Sequence, residues 1–264
     1  MLPTQRRQAI LTQVREQAAV SAEDLSGQFA VSVETIRRDL RALRDAGLLE
    51  RVYGGATRPS GRSSEGSFAA RSTRNVERKR AIAVMAASLV EPDETIVLDI
   101  GTTALEVARA LPGSFRGRVL TNSVPAALEL SGRDGVELLL SGGQVRRGDG
   151  ACSGAHAEAF FAEFYADRAF LGSGGVHPDA GLTDYYPAEV VVRRTIIAHT
   201  ARNYVLADSS KLGVIAVRRV CQLAQVTAVL TDDTENADAF TALGAAGVTL
   251  MRAEVSDRRL SAAG

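Results

Sequence analysis

Five stretches of this chain place small hydroxyl, amide and glycine residues where an anion could be held. They are Asp99-Ile-Gly-Thr-Thr103, Thr121-Asn-Ser123, Ser141-Gly-Gly143, Gly172-Ser-Gly-Gly175 and Ala207-Asp-Ser-Ser-Lys211. Each follows an apolar, β-branched run, so each reads as a loop leaving a strand. Glycine lets backbone N–H groups approach a ligand closely, and a helix starting after Gly101-Thr-Thr103 adds the positive end of its dipole. Together with hydroxyl donors, that chemistry holds a phosphate without a Walker loop. Asp99 and Asp208 have two readings, as caps or as acceptors for ligand hydroxyls. Glu189, two residues after the helix-starting Pro187, has the same two. Lys211 is either a surface lysine or a cation facing the ligand. Any one loop is better explained by turn and cap chemistry; five in series argue for a site.

A second constellation is cationic. Ile36, Leu40 and Leu43 recur at helical spacing and form an inward stripe, which leaves Glu34, Arg37, Arg38 and Arg41 pointing outward or sideways. Ser32 can cap that helix, and Gly47 supplies its stop after Asp45. Upstream, Ile10, Leu11 and Val14 mark an amphipathic helix over residues 4–16, and Ser21-Ala-Glu-Asp24 matches a capping box for a second. Downstream, Leu48 to Ala56 reads as a β-ribbon with glycines at its bend or exit. Two helices, a turn, a basic third helix and a ribbon suit insertion into the major groove of DNA. The ribbon then serves as a wing carrying Arg51, and Arg58 follows it near the backbone or minor groove. The alternative is a three-helix interaction module whose arginines are simply solvated, with Arg38 occupied by Glu34 in a weak i, i+4 pair.

The elements that must position these groups follow from periodicity. Apolar runs at 95–100, 118–121, 136–140, 168–171, 203–207, 227–230 and 247–251 are separated mostly by helix-length segments. Most are apolar throughout, as expected of strands covered on both faces, so the sequence predicts an α/β domain with a largely parallel sheet. Open sheets of this kind bind ligands at the carboxyl ends of their strands. Residues 57–67 are rich in Gly, Ser and Pro and read as a linker, and a helical stretch runs from about Phe68 to Leu89. The expected division is 1–57 for a winged helix-turn-helix, 58–73 for a linker, 74–252 for the α/β domain and 253–264 for a tail.

Charge distribution agrees with a nucleic-acid partner at one end. Formal net charge is zero, yet residues 1–80 hold 15 Lys and Arg against 9 Asp and Glu, and the remainder 16 against 22. Chance segregation around a linker explains that asymmetry about as well. The apolar run Ala81–Val90 is far short of the roughly 20 residues a membrane span needs. No signal-peptide core is seen, and Cys152 and Cys221 stand in no metal-ligand spacing, so the expected compartment is a reducing cytoplasm. His156, His177 and His199 form no i, i+4 pair, and no metal is expected.

Val31-Ser-Val-Glu-Thr-Ile-Arg-Arg-Asp-Leu40, then Leu43, Gly47-Leu48 and Arg51-Val-Tyr-Gly-Gly-Ala56, resembles the DNA-binding head of DeoR-type bacterial regulators. Tyr53 stands where that family usually has His. The resemblance continues through Asp99-Ile-Gly-Thr-Thr103, Thr121-Asn-Ser123, Gly142-Gly143, Phe170-Leu-Gly172, Gly181-Leu-Thr183, Glu189, Arg193-Arg194 and Ala207-Asp-Ser-Ser-Lys-Leu-Gly213. That part is similar to the DeoR sensor domain, itself like ribose-5-phosphate isomerase in fold. It implies double-stranded operator DNA as one partner, contacted through Ser32, Glu34, Thr35, Arg37, Arg38, Arg41, Arg51 and Tyr53. A sugar- or polyol-phosphate effector is the other, lined by Asp99, Gly101, Thr102, Thr103, Thr121, Asn122, Gly142, Gly143, Gly172, Glu189, Asp208 and Lys211. Thr102 and Thr103 would hold phosphate, Asp99 and Glu189 would take hydroxyls and Lys211 would supply charge. Ile100, Val190 and the Tyr185-Tyr186-Pro187 segment depart from the family pattern at the sugar end.

Three other functions compete with this one. A sugar-phosphate isomerase would use the same carboxylates and Lys211 to move a proton, but it has no need of a DNA-binding head. An actin-like sugar kinase shares Asp-Ile-Gly-Thr-Thr but sets it in a hairpin, whereas here a helical pattern follows Thr103 and no second Asp-Gly-Thr appears. A nicotinamide enzyme needs G-x-G-x-x-G between strand and helix, and Gly172-Ser-Gly-Gly175 lacks the third glycine. The expectation is a non-enzymatic transcriptional repressor of carbohydrate genes, without cofactor, acting as a homo-oligomer (dimer or tetramer).

Overall fold

A computed structural model of the chain describes residues 2–17, 19–45, 48–52, 54–57, 65–232 and 236–255. The chain divides into two compact units, Met1–Thr73 and Arg74–Gly264.

In the first unit, helices α1 (Pro3–Gln17), α2 (Ala22–Phe29) and α3 (Val33–Asp45) pack with strands β1 (Ala19–Ser21), β2 (Glu50–Val52) and β3 (Gly55–Thr57), and α4 (Phe68–Thr73) follows. Ser21 Oγ accepts from the backbone N–H groups of Glu23 and Asp24 at 3.1 and 3.3 Å, capping α2 where the sequence expected. Ser32 Oγ accepts from Thr35 N–H at 3.2 Å at the start of α3. Ile10, Leu11, Val14, Leu25, Ile36, Leu40, Leu43, Leu49 and Ala56 make one buried core. The ribbon β2–β3 gains β1 as a third antiparallel strand, in the order β1-β3-β2. Sequence periodicity missed β1 because three residues hold too little pattern. Its presence explains the second glycine of the Gly-Gly pair: a Cβ on Gly55 would lie 2.0 Å from Val20 O, so only glycine lets β3 lie against β1.

The second unit opens with α5 (Val76–Ser88), so the helical stretch expected over 68–89 is broken at Asn75, whose φ is +53°. There follow β4 (Thr95–Leu98), α6 (Thr102–Ala110), β5 (Gly117–Thr121), α7 (Val124–Leu130), β6 (Val136–Leu140), β7 (Gln144–Val145), β8 (Cys152–Ser153) and α8 (Ala155–Ala162). Next come β9 (Ala166–Leu171), β10 (Gly175–His177), β11 (Gly181–Asp184), α9 (Pro187–Ala198), β12 (Thr200–Leu206), β13 (Arg218–Cys221), β14 (Ala228–Asp232), α10 (Ala237–Ala245) and β15 (Leu250–Ala253). One seven-stranded sheet has the order β15-β14-β12-β9-β4-β5-β6, and every pairing in it is parallel. All seven apolar runs of the sequence overlap its strands.

Both faces of the central strands are covered, which is why their runs are mostly apolar. Ile96, Leu98, Phe170, Tyr204, Leu206 and Leu230 pack against α5, α6 and α7 through Ile82, Val107, Ala108 and Leu130. The alternate residues Val97, Leu120, Ala169 and Leu171 pack on the other face against Phe161 of α8 and Val192 and Ile196 of α9. Short antiparallel strands add a second sheet, β10-β11-β13, and a hairpin, β7-β8. Gly181-Leu-Thr183, one of the stretches shared with the DeoR sensor domain, lies on strand β11. Thr183 is spent inside that sheet, its hydroxyl donating to Gly175 O at 3.0 Å and accepting from Ala216 N at 2.9 Å.

Candidate functional site

In the first unit, α3 presents Glu34, Arg37, Arg38 and Arg41 to solvent, while Thr35 is half-buried. Glu34 lies 3.6 Å from Arg37 rather than pairing with Arg38. Both groups are exposed, so the pair is weak and DNA phosphates can displace it. Asp39, in the centre of the arginine motif, faces the opposite way and is buried. Its two oxygens accept from Arg6 Nε at 2.6 Å and Arg7 Nε at 2.8 Å, clamping α1 to α3. The sequence reading had no role for these two arginines. Arg51 lies on β2, and Tyr53, Arg58 and Gly47 fall outside the described residues or side chains.

In the larger unit, chain order along the sheet reverses between β4 and β9. Strands β5 and β6 extend to one side of that line and β12, β14 and β15 to the other. The connections after β4 and β9 therefore diverge to opposite faces and leave a crevice at the strand carboxyl ends. Asp99 and Gly101 stand at the exit of β4 and Gly172 at the exit of β9. The exits of β5 and β12 (Asn122 and Asp208) flank them, and Gly142-Gly143 lies beyond β6. Five adjacent exits at about 4.8 Å spacing span roughly 19 Å, wider than one sugar phosphate. The central three define the crevice, with Gly142, Gly143, Asp208 and Lys211 on its flanks.

Asp99 is buried, and its Oδ2 accepts from Gly172 N–H at 2.9 Å and from Arg193 Nε at 2.5 Å. A Cβ on Gly172 would lie 2.6 Å from Ile100 O, so glycine is required for the β9 exit to sit this close to β4. Gly101 precedes α6 with φ +121° and open space where a side chain would stand. Its carbonyl accepts from Leu105 N. Thr102 and Thr103 thus begin a helix at the crevice, Thr102 buried and Thr103 half-buried.

Thr121 is turned to structural work, its hydroxyl donating to Leu98 O at 2.6 Å and accepting from Ser123 N at 3.0 Å. Asn122 is buried, with Nδ2 3.4 Å from Cys152 O. Asp208 accepts from Ser210 N at 3.0 Å and Asn75 Nδ2 at 3.2 Å, acting as the cap of the short turn Ser209–Lys211. Lys211 is half-buried.

The sequence missed the charge network that crosses the crevice floor. Arg193, buried on α9, is shared by Asp99, Asp184 at the end of β11, and Glu189, whose Oε2 lies 3.5 Å away. Glu189 also pairs with Arg146, which is held by Asp149 and lies 3.8 Å from the centre of the Tyr186 ring. Burial pushes the Glu189 carboxyl up to about 8; Asp184 and Asp99 push the same way and Arg193 and Arg146 oppose them. Asp184 is held below its ordinary range: burial would raise it, but Arg193 and the N–H groups of Tyr185 and Tyr186 prevail. One signal was available, since Glu189 and Arg193 are spaced i, i+4 on one helix. Arg146 and Asp184 carried none, because only the fold brings the hairpin and β11 to α9.

Comparison with known proteins identifies the family. Residues 6–62 match the DeoR-like helix-turn-helix domain and residues 74–233 the DeoR C-terminal sensor domain. The HTH-type transcriptional regulator GlpR of Haloferax volcanii is 36% identical over 253 residues, covering 95% of this chain and 98% of that protein. The glycerol-3-phosphate regulon repressor of Escherichia coli (strain K12) is 34% identical over 232 residues, covering 88% and 92%. The solved ribose 5-phosphate isomerase A of Methanocaldococcus jannaschii aligns over 52% of this chain and 54% of its own, at 20% identity and a TM-score of 0.39, too slight a likeness to argue from. The chain belongs to the DeoR family of DNA-binding transcriptional regulators. Among the described residues, no helix is long and apolar enough to cross a membrane.

Proposed function

We propose that the chain is a cytoplasmic repressor of carbohydrate-metabolism genes whose grip on operator DNA is altered by a phosphorylated sugar or polyol. The observation that carries this reading is the crevice at the β4/β9 reversal, where a helix start, glycines and buried hydrogen-bonding side chains converge. Gly101, Thr102 and Thr103 take the phosphate at the start of α6. Asp99, Asn122, Gly172 and Glu189 face the carbon chain. Thr121, Gly142, Gly143, Asp208 and Lys211 support the flanks. Operator contact falls to Ser32, Glu34, Thr35, Arg37, Arg38, Arg41, Arg51 and Tyr53 within residues 1–57. The sensor spans 74–252, between a linker at 58–73 and a tail at 253–264. A homo-oligomer, dimer or tetramer, matches repeated operator half-sites. The ligand acts only through different affinities for the DNA-bound and free states.

The name of the Escherichia coli relative makes glycerol 3-phosphate the first compound to try. Operator binding is measured by mobility shift across a panel of sugar and polyol phosphates. The expected result is release by at least one, lost in Thr103→Val while that variant still binds DNA. No response to any member of the panel overturns the reading. An isomerase reading draws on Glu189, a buried carboxyl titrating near 8. Its oxygens are taken up by Arg146 and Arg193 rather than left open to a substrate proton, and no turnover of sugar phosphates is expected.

A further inference from the structure

Two buried oxygens at the crevice lack a donor: Asp99 Oδ1 and Asn122 Oδ1 have no hydrogen-bond partner. Asp99 is 0% and Asn122 1% exposed. Their placement is not independent. Strands β4 and β5 pair with Val97 opposite Leu120 and Leu98 opposite Thr121, so Asp99 and Asn122 are the next pair along. Alternation sends both to the face of Val97 and Leu120, towards α8 and α9. Asp99 indeed reaches Arg193 on α9, and Asn122 reaches Cys152 on β8. The orientation of the Asn122 amide is set by the Cys152 carbonyl, which takes the NH2 group and leaves Oδ1 turned away. Two acceptors on neighbouring strands, side by side, are thus left without hydrogen.

Buried acceptors without donors destabilise a fold, and a charged one more so. The remaining groups around Asp99 do not supply the donor. Oδ2 already takes both Gly172 N–H and Arg193 Nε, and the guanidinium of Arg193 is further divided between Asp184 and Glu189. The local charge is also against a second anion here, because Asp99 and Asp184 already share the single guanidinium of Arg193.

We propose that Asp99 Oδ1 and Asn122 Oδ1 together read two hydroxyl groups on neighbouring carbons of the ligand, at the end away from its phosphate. This rests on the reading of the crevice given above and makes it specific. The ligand is a phosphorylated polyol or sugar with a vicinal diol, both hydroxyls donating. Compounds of equal size whose far end is deoxy, or is a carboxylate, are rejected: the first leaves the acceptors unsatisfied, the second sets an anion against Asp99.

The test uses the full chain and two readouts. Thermal shift and calorimetric titration compare glycerol 3-phosphate and a set of aldose and alditol phosphates with their matched deoxy compounds, with 3-phosphoglycerate and with inorganic phosphate. Diol-bearing compounds are expected to bind at least tenfold more tightly than their deoxy partners, and 3-phosphoglycerate no better than inorganic phosphate. Asn122→Leu removes one acceptor at similar size. Its melting midpoint without ligand should stay level or rise, while its affinity for the best diol falls tenfold or more. If deoxy compounds bind as well as diols, or if Asn122→Leu melts well below the parent, the two-acceptor inference is wrong although the crevice still binds phosphate esters. Binding of no phosphorylated compound at all overturns both this inference and the proposed function.

Discussion

The two units use arginine in opposite ways. On α3, Arg37, Arg38 and Arg41 stand exposed, paired weakly or with solvent. In the sensor unit, Arg193 is 3% exposed and engages three carboxylates, and Arg168 is buried against Glu91, Glu94 and Tyr204. Exposed cations keep their field for a long polyanion and are screened by salt, whereas buried ones have no charge to spare and work as rivets. The first kind can be lost without unfolding the chain. The second cannot, since removing one partner leaves the others charged and dry.

The sharpest way to break this contrast is Arg193→Ala. It strands Asp99 and Asp184 in the interior, and the sensor unit is expected to lose about 3–5 kcal/mol in urea unfolding. A loss under 1 kcal/mol would mean that water already reaches these carboxylates. Next in size is Gly172→Ala, whose Cβ would meet Ile100 O at 2.6 Å. The β4 and β9 exits must part, at a cost of roughly 1–3 kcal/mol, with ligand affinity falling alongside. An unchanged melting curve would show that the two exits are not in contact.

Arg38→Ala probes the exposed side. Stability is expected to stay within about 0.5 kcal/mol, while operator affinity drops and the salt slope of log K shallows by about 0.9, the share of one phosphate. Identical salt dependence in parent and variant would take Arg38 out of the interface. A pH effect tests the buried side again. Glu189 keeps its proton to about pH 8 when folded against an ordinary value of 4.5. The folded state therefore binds the extra proton, and stability falls as pH rises through that window. Melting midpoints measured from pH 5 to 9 should decline, and Glu189→Gln should flatten the decline. Equal slopes in parent and variant would assign it to another group.

Much is legible in the sequence alone. The Ile36/Leu40/Leu43 stripe named the buried face of α3 and so the basic outer one. Seven apolar runs named seven strands, and the scarcity of polar residues in most of them implied that both faces are covered. Asp99, Gly101 and Gly172 stand at strand exits, as the glycine and polar residues after each apolar run implied. Short antiparallel strands escape notice because two to four residues carry no period, so the sheet β10-β11-β13 and the hairpin β7-β8 were not expected. Tyr53 lies outside the described residues, and the wing reading at that position stays with the sequence.

Local order along the chain is enough to specify elements, caps and which side of each is apolar, since those depend on neighbours a few residues away. Pairing is another matter. That β4 lies between β5 and β9, that Arg146 meets Glu189 across 43 residues, and that Asp99 and Asn122 stand abreast with an unmet acceptor each, follow only from strand order and burial. Residues distant in sequence share no local pattern that would announce their meeting. Their charges and hydrogen bonds acquire strength only after the fold has removed water from between them.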